Sequence, residues 1–167
     1  MPESVRINFV TGATRRYVAD VESLAVIPGR LEAAVSGQRP DWYRFNGGVE
    51  GAWPPARVIG HMVAYARQVR ENVHRMAWMT DPVLNTVDDA AEAERNSWEA
   101  REPERLLEWF SEAIAETVHL LKELPDSSWG RPGQSPAFGR RSIRQSVRAA
   151  SRHLEEHVAQ LEALARG

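Results

Sequence analysis

Apolar positions recur at i, i+3 and i+4 through most of this chain, which is the period of a helix and not that of a strand. The first such stripe starts near Thr14 and takes in Tyr17, Val18, Val21, Leu24 and Ala25. Pro28 should end or kink it, because proline removes a backbone donor and crowds the preceding turn. Pro28 then suits the first turn of a shorter helix to Ser36 that buries Leu31 and Val35, with Gly37 free to take the left-handed conformation that closes it. Residues 1–12, with Pro2 and Gly12 and no period, read as a loose arm.

The longest stripe follows Pro54 and Pro55 and runs to about Thr80 through Ile59, Met62, Val63, Ala66, Val69, Val73 and Met76. Asp81 and Pro82 end it, and an acidic crossover with Asp88, Asp89, Glu92 and Glu94 follows, with room for a short helix. A third long helix begins near Pro103, where Glu102, Glu104 and Glu108 complement the positive end of the dipole. Leu107, Phe110, Ile114, Val118 and Leu121 form its core face, and Pro125 closes it. Ser142 followed by Gln145 is a capping-box signature for a last helix running towards Leu164 with Ile143, Val147, Ala150, Leu154, Val158, Leu161 and Ala165 inward. Two loops remain: residues 38–53, holding Trp42, Tyr43 and Phe45, and residues 126–141. With no strand alternation or internal repeat, the pattern predicts an all-α, four-helix bundle occupying residues 1–167 as one domain.

Composition narrows what such a bundle does. At 167 residues the chain can bury roughly two-thirds of its unfolded surface without staples. The absence of cysteine removes disulfides, thiolate ligands and a cysteine nucleophile, so any thiol chemistry needs an external thiol. Lys plus Arg total 21 against 23 Asp plus Glu, a net charge of −2, which offers no global attraction for nucleic acid. The basic row Arg140, Arg141, Arg144, Arg148 and Arg152 reads as a solvated helix face. No signal segment and no apolar run of the ~18 residues a membrane span needs is visible, so a cytoplasmic protein is expected.

Candidate chemistry centres on His153 and His157. Four residues apart on a helix, their Cβ atoms lie roughly 5–6 Å apart on one face, close enough for both imidazoles to reach one metal ion at about 2.0–2.1 Å. The zincin pattern is excluded, because the position after the first histidine is Leu154 where that motif needs a glutamate base. His61, at the edge of the second long stripe, can supply a third ligand from a facing helix. Three imidazoles suit Zn, Ni, Cu or Fe and leave coordination positions open for water or substrate. The plainer alternative is three partly buried histidines satisfied by hydrogen bonds. His74 and His119 lie off their stripes and are read as exposed. Tyr65, one turn after His61, is a candidate donor to a bound ligand or else a packed core residue; Trp53 is a candidate pocket wall. Glu155 and Glu156 are read as facing solvent.

Together these features resemble the DinB-like four-helix-bundle proteins, the DinB/YfiT-like metalloenzyme family, which shares only a name with a translesion polymerase. The resemblance runs from Tyr17 to about Leu164. It rests on Trp53-Pro-Pro-Ala-Arg-Val-Ile-Gly-His61 entering the second helix, on Arg75-Met-Ala, and on Ser142-Ile-Arg ahead of His153-x-x-x-His157. It implies an up-down-down-up bundle with a long crossover between the second and third helices, a divalent metal (Zn, Ni or Fe) on His61, His153 and His157, and a homodimer. Family members include thiol S-transferases using bacillithiol or mycothiol and a mycothiol-dependent isomerase. The expectation is a metal-dependent enzyme that activates water or a low-molecular-weight thiol for transfer to a small electrophile. Its rivals are a metal-dependent hydrolase and a non-catalytic metal-binding or stress-related dimeric bundle, and no residue stands out as a general base.

Overall fold

The computed structural model describes residues 16–167, so the expected arm at residues 1–12 and the helix start at Thr14 lie outside the described residues. The chain then forms α1 (Val18–Ala25), α2 (Ile27–Val35), α3 (Pro40–Arg44), α4 (Pro55–Trp78), α5 (Asp89–Asn96), α6 (Pro103–Glu123), a short hairpin of β1 (Pro132–Ser135) and β2 (Gly139–Ser142), and α7 (Ile143–Arg166). Pro28 breaks the first stripe as expected, and Gly37 takes φ 77° just past α2. Ser142 and Gln145 form the full capping box at the start of α7.

Four corners make the bundle, with α1 and α2 together as one and α4, α6 and α7 as the others. Cross-links along the chain give their directions. Tyr17 stacks on Trp129 ahead of α7, Asp20 meets Arg144 and Arg148, and Arg30 pairs with Glu155, so the first corner runs parallel to α7. Gly60 packs under Trp98 and Arg70 pairs with Glu116, so α4 and α6 are parallel too. Arg131, just ahead of β1, donates to the Met76 carbonyl at the far end of α4, which makes α4 antiparallel to α7. The result is an up-down-down-up four-helix bundle. A parallel α4–α6 pair is what forces the long crossover, since the chain must return along the bundle before α6 can start.

That crossover is tied down at three points. Gln68 and Asn72 of α4 donate to the Asn85 carbonyl, and the Asn85 N–H donates back to Asn72 at 2.8 Å. The Leu84 N–H of the crossover donates to the Gln134 carbonyl on β1 at 2.9 Å, and the Gln134 N–H donates to the Pro82 carbonyl at 2.7 Å. Trp98 is buried against Gly60, where an added Cβ would stand 2.2 Å from the Trp98 Cγ. Only a residue without Cβ lets the indole approach α4 that closely.

Several expectations shift. Residues 38–53 contain α3, and residues 126–141 together with Ser142 contain a hairpin registered Pro132↔Ser142 to Ser135↔Gly139. Its strands carry no apolar alternation, so no period-2 signal marks them. Leu106 is fully buried while Leu107 only packs at the edge of the core; Ala25 faces solvent, and Ala165 is half-exposed near the end of α7. Of the loop aromatics, Tyr43 is buried, Trp42 is half-buried and Phe45 is exposed. The basic row is not uniformly solvated, because Arg144 and Arg148 both bond the buried Asp20. Nor is Glu155 free in solvent, since it pairs with Arg30. Among the described residues no helix is long and apolar enough to cross a membrane.

Candidate metal centre

His61 lies nearly two turns into α4, which Pro54 and Pro55 start at a fixed place. Its neighbour Gly60 draws the crossover down through Trp98, and the same crossover delivers the partner for the imidazole. The Asp88 carboxylate accepts from the Ala91 N–H and caps α5, leaving Asp89 as the first residue of that helix with its carboxylate turned to His61. The His61 Nδ1–H donates to Asp89 Oδ1 at 2.6 Å, which places the lone pair on Nε2.

Two turns of α7 supply the other rings. The His157 Nδ1–H donates to Gln160 Oε1 at 3.0 Å, so its Nε2 is also a lone pair. Both lone pairs face His153 Nε2, at 3.1 Å from His61 and 3.2 Å from His157. A single proton on His153 answers one of them well and leaves the other facing a nitrogen. A cation answers all three. Nitrogens at these separations, each about 2.0–2.1 Å from a common centre, subtend about 100° there, which suits a tetrahedral or a facial octahedral ion. His61, His153 and His157 therefore form a group that could hold a metal ion, and the Asp89–His61 bond is the outer contact that such ligands need for orientation.

The surroundings favour neutral imidazoles. Burial pushes the His153 pKa below the usual histidine value, and the nearby His157 and His61 push the same way. Burial also lowers His157, against an opposing hydrogen bond from Gln160. Neutral rings are the form that binds metal.

Tyr65 and Trp53 flank the group. The Tyr65 ring lies 4.4 Å from that of His153 and 6.1 Å from that of His61, and its hydroxyl has no hydrogen-bond partner among the described residues. Burial raises the Tyr65 pKa, opposed by the positive charges of Arg141 and Arg152. Trp53 is half-buried with its ring 5.6 Å from His61, and the Arg57 guanidinium lies over its face at 4.7 Å. Arg57, His61 and Tyr65 thus make one row along α4, spaced four residues apart, and Trp53 just ahead of the helix stands at its end.

His74 and His119 are exposed and outside the group, as expected; His119 stands 3.4 Å from Glu123. Sequence reasoning missed Asp89 and Gln160. Gln160 was within reach, three residues after His157 on the same helix face. Asp89 was one of four acids on the crossover, and the only clue was that a metal-binding imidazole usually needs an acceptor behind it.

Solved structures share this fold. The chain is similar to YfiT from Bacillus subtilis, described as a probable metal-dependent hydrolase with an unusual four-helix bundle topology; the TM-score is 0.81 at 17% identity, covering 97% of this chain and 90% of that one. It is also similar to the mycothiol-dependent maleylpyruvate isomerase, with a TM-score of 0.72 at 14% identity over 86% of this chain, which spans 59% of that longer protein. At these identities the likeness is one of fold. No curated protein matches the chain in sequence. The family model of the DinB superfamily matches residues 19–161, which include all three histidines, and on that match the chain belongs to the DinB superfamily.

Proposed function

We propose that this protein is a divalent-metal-dependent enzyme in which His61, His153 and His157 hold the ion. The carrying observation is the convergence of three Nε2 atoms, two of them made lone pairs by the Asp89 and Gln160 bonds behind them. His61, His153 and His157 would hold a divalent ion, which would supply Lewis acidity to a bound water or low-molecular-weight thiol. The chain's own contribution is positional. Asp89 holds the His61 ring in one orientation and one tautomer, Trp53 walls the site, and Tyr65 offers a hydroxyl donor on the His153 side.

Thiol transfer is the first reading, with the thiol as a cosubstrate because the chain has no cysteine. Hydrolysis is the second, supported by the similarity to the probable hydrolase YfiT. The non-catalytic alternative, with a structural metal or none, calls for a fourth protein ligand closing the site or for a function insensitive to chelators. Among the described residues no fourth ligand joins the three histidines within reach of one ion, and Asp89 is engaged behind His61 at 2.6 Å from its Nδ1. A homodimer, a cytoplasmic location and a single domain belong to the same proposal; light scattering checks the first.

The test is metal content per chain after reconstitution with Zn or Ni and desalting. Wild type should retain about one ion, and His61→Ala and His157→Ala none. If wild type retains none, the proposal fails. With metal bound, turnover of electrophiles with and without mycothiol or bacillithiol separates thiol transfer from hydrolysis.

A further inference from the structure

A cleft opens beside the histidine group, and Tyr65 belongs to both. The cavity, ≈ 100 Å³, is walled by Val69 of α4, Leu84 of the crossover and Phe138 at the hairpin tip, with Arg141 and Ser146 on its remaining side. Its walls are mainly apolar, and the one cationic side chain lining it is Arg141.

The state of Arg141 sets it apart from its neighbours. Arg144 and Arg148 are both committed to Asp20, Arg140 lies 4.0 Å from Asp81, and Arg131 donates to the Met76 and Met79 carbonyls. Arg141 is half-buried and has no carboxylate or carbonyl partner among the described residues; its guanidinium rests over the Phe138 ring at 4.1 Å. Its charge is felt at the Tyr65 hydroxyl, itself without a partner among the described residues. A half-buried guanidinium and an unpartnered hydroxyl at the edge of an apolar cleft are the donors an anionic head group with an apolar tail requires. With a single guanidinium lining the cleft, the charge balance is that of a carboxylate; a phosphate dianion needs more donors.

We propose that this cleft anchors the substrate: it takes a small carboxylic acid with an apolar tail, the carboxylate on Arg141 and the Tyr65 hydroxyl and the tail against Val69, Leu84 and Phe138. The bound acid then lies one tyrosine ring from the imidazoles. Its role in the reaction rests on the metal-dependent reading above, while its affinity for the cleft does not.

Calorimetric titration tests it with hexanoate and benzoate, using hexanamide and benzamide as uncharged counterparts, on zinc-reconstituted and on metal-free protein. Both acids should bind either form and the amides should not. Arg141→Gln should weaken binding at least about tenfold, Tyr65→Phe by several-fold, and the neighbouring Arg140→Gln not at all. Arg141→Lys, which keeps the charge, should recover part of the loss, and unchanged thermal melts for the Arg141 variants separate a lost contact from a lost fold. If acids bind no better than amides, or Arg141→Gln binds like wild type, the cleft is not the anchor. If acids bind only the zinc form and ignore Arg141, they ligate the ion; the subsite is then overturned while the metal reading stands. If no zinc is retained yet Arg141-dependent binding persists, the subsite stands and the metal reading falls.

Discussion

Two polar clusters sit on α7, one facing α1 and α2, the other facing α4, and they are built to opposite plans. In the first, the buried Asp20 offers two oxygens, and Arg148 and Arg144 answer one each at 2.7 and 3.1 Å. Every charge has its partner within the protein. In the second, Asp89 and Gln160 bind the outer nitrogens of two imidazoles and so turn their lone pairs inward, onto a third nitrogen that cannot satisfy both. One cluster is complete, and the other leaves a nitrogen unanswered where a cation could sit. Buried polar groups are costly unless paired, so a cluster whose own hydrogen bonds enforce its incompleteness points to a ligand, and a complete one points to architecture.

Exchanging the damage breaks or confirms that contrast. His153→Ala removes the nitrogen both others face and should weaken zinc binding by more than about a hundredfold, beyond the ~10–100-fold typical of losing an outer partner; competition with a chromogenic chelator measures it. Asp20→Ala should leave zinc affinity unchanged but cost about 1–3 kcal/mol of stability by denaturant unfolding, since it strands two guanidinium groups, both partly exposed. Equal losses of zinc in both variants would erase the distinction.

Gly60→Ala should come next. Its Cβ would lie 2.2 Å from the Trp98 Cγ, and the indole has to move. A cost of about 2–3 kcal/mol, roughly 5–10 °C in Tm for a chain of this size, is expected. Zinc affinity should fall as well, because Asp89 rides on the same crossover. Gly29→Ala is the control: nothing lies within 4 Å of the added Cβ, and an alanine in α2 should be neutral or stabilising. Asp89→Asn should be milder for the fold and weaken zinc by ~10–100-fold, leaving the imidazole in place but less firmly oriented.

The architecture was legible because α4, α6 and α7 are long enough for the 3.6-residue period to dominate, and because Ser142 and Gln145 mark the start of α7 chemically. The three histidines were legible from spacing on two facing helices. What was not legible depends on distance along the chain. Asp89 meets His61 across 28 positions, and Asp20 meets Arg148 across 128; no local pattern separates either acid from its solvated neighbours. The arginine row read as uniform because helical phase was counted and packing partners were not, so Arg144 and Arg141 looked alike. Gly60 carried an unread signal. A glycine inside a long helix costs about 1 kcal/mol relative to alanine, and here the close approach of Trp98 explains it.

The smallest effect tests the histidine cluster without metal. Burial lowers the pKa values of His153 and His157 in the folded chain relative to the value of 6.5 that a free imidazole keeps when unfolded. Between the two values the unfolded state binds protons that the folded state refuses, so stability increases with pH across that window. Metal-free protein should therefore be less stable at pH 5.5 than at pH 7.5 in denaturant unfolding, and the difference should shrink in the His153→Gln, His157→Gln double variant. Excess zinc should steepen the dependence in wild type, because the ion and the protons compete for the same nitrogens. Asp20→Ala should keep the wild-type dependence while lowering the whole curve, since it removes no imidazole. A double variant with an undiminished dependence would place the responsible protons elsewhere and undo the claim that this cluster is held neutral by its surroundings.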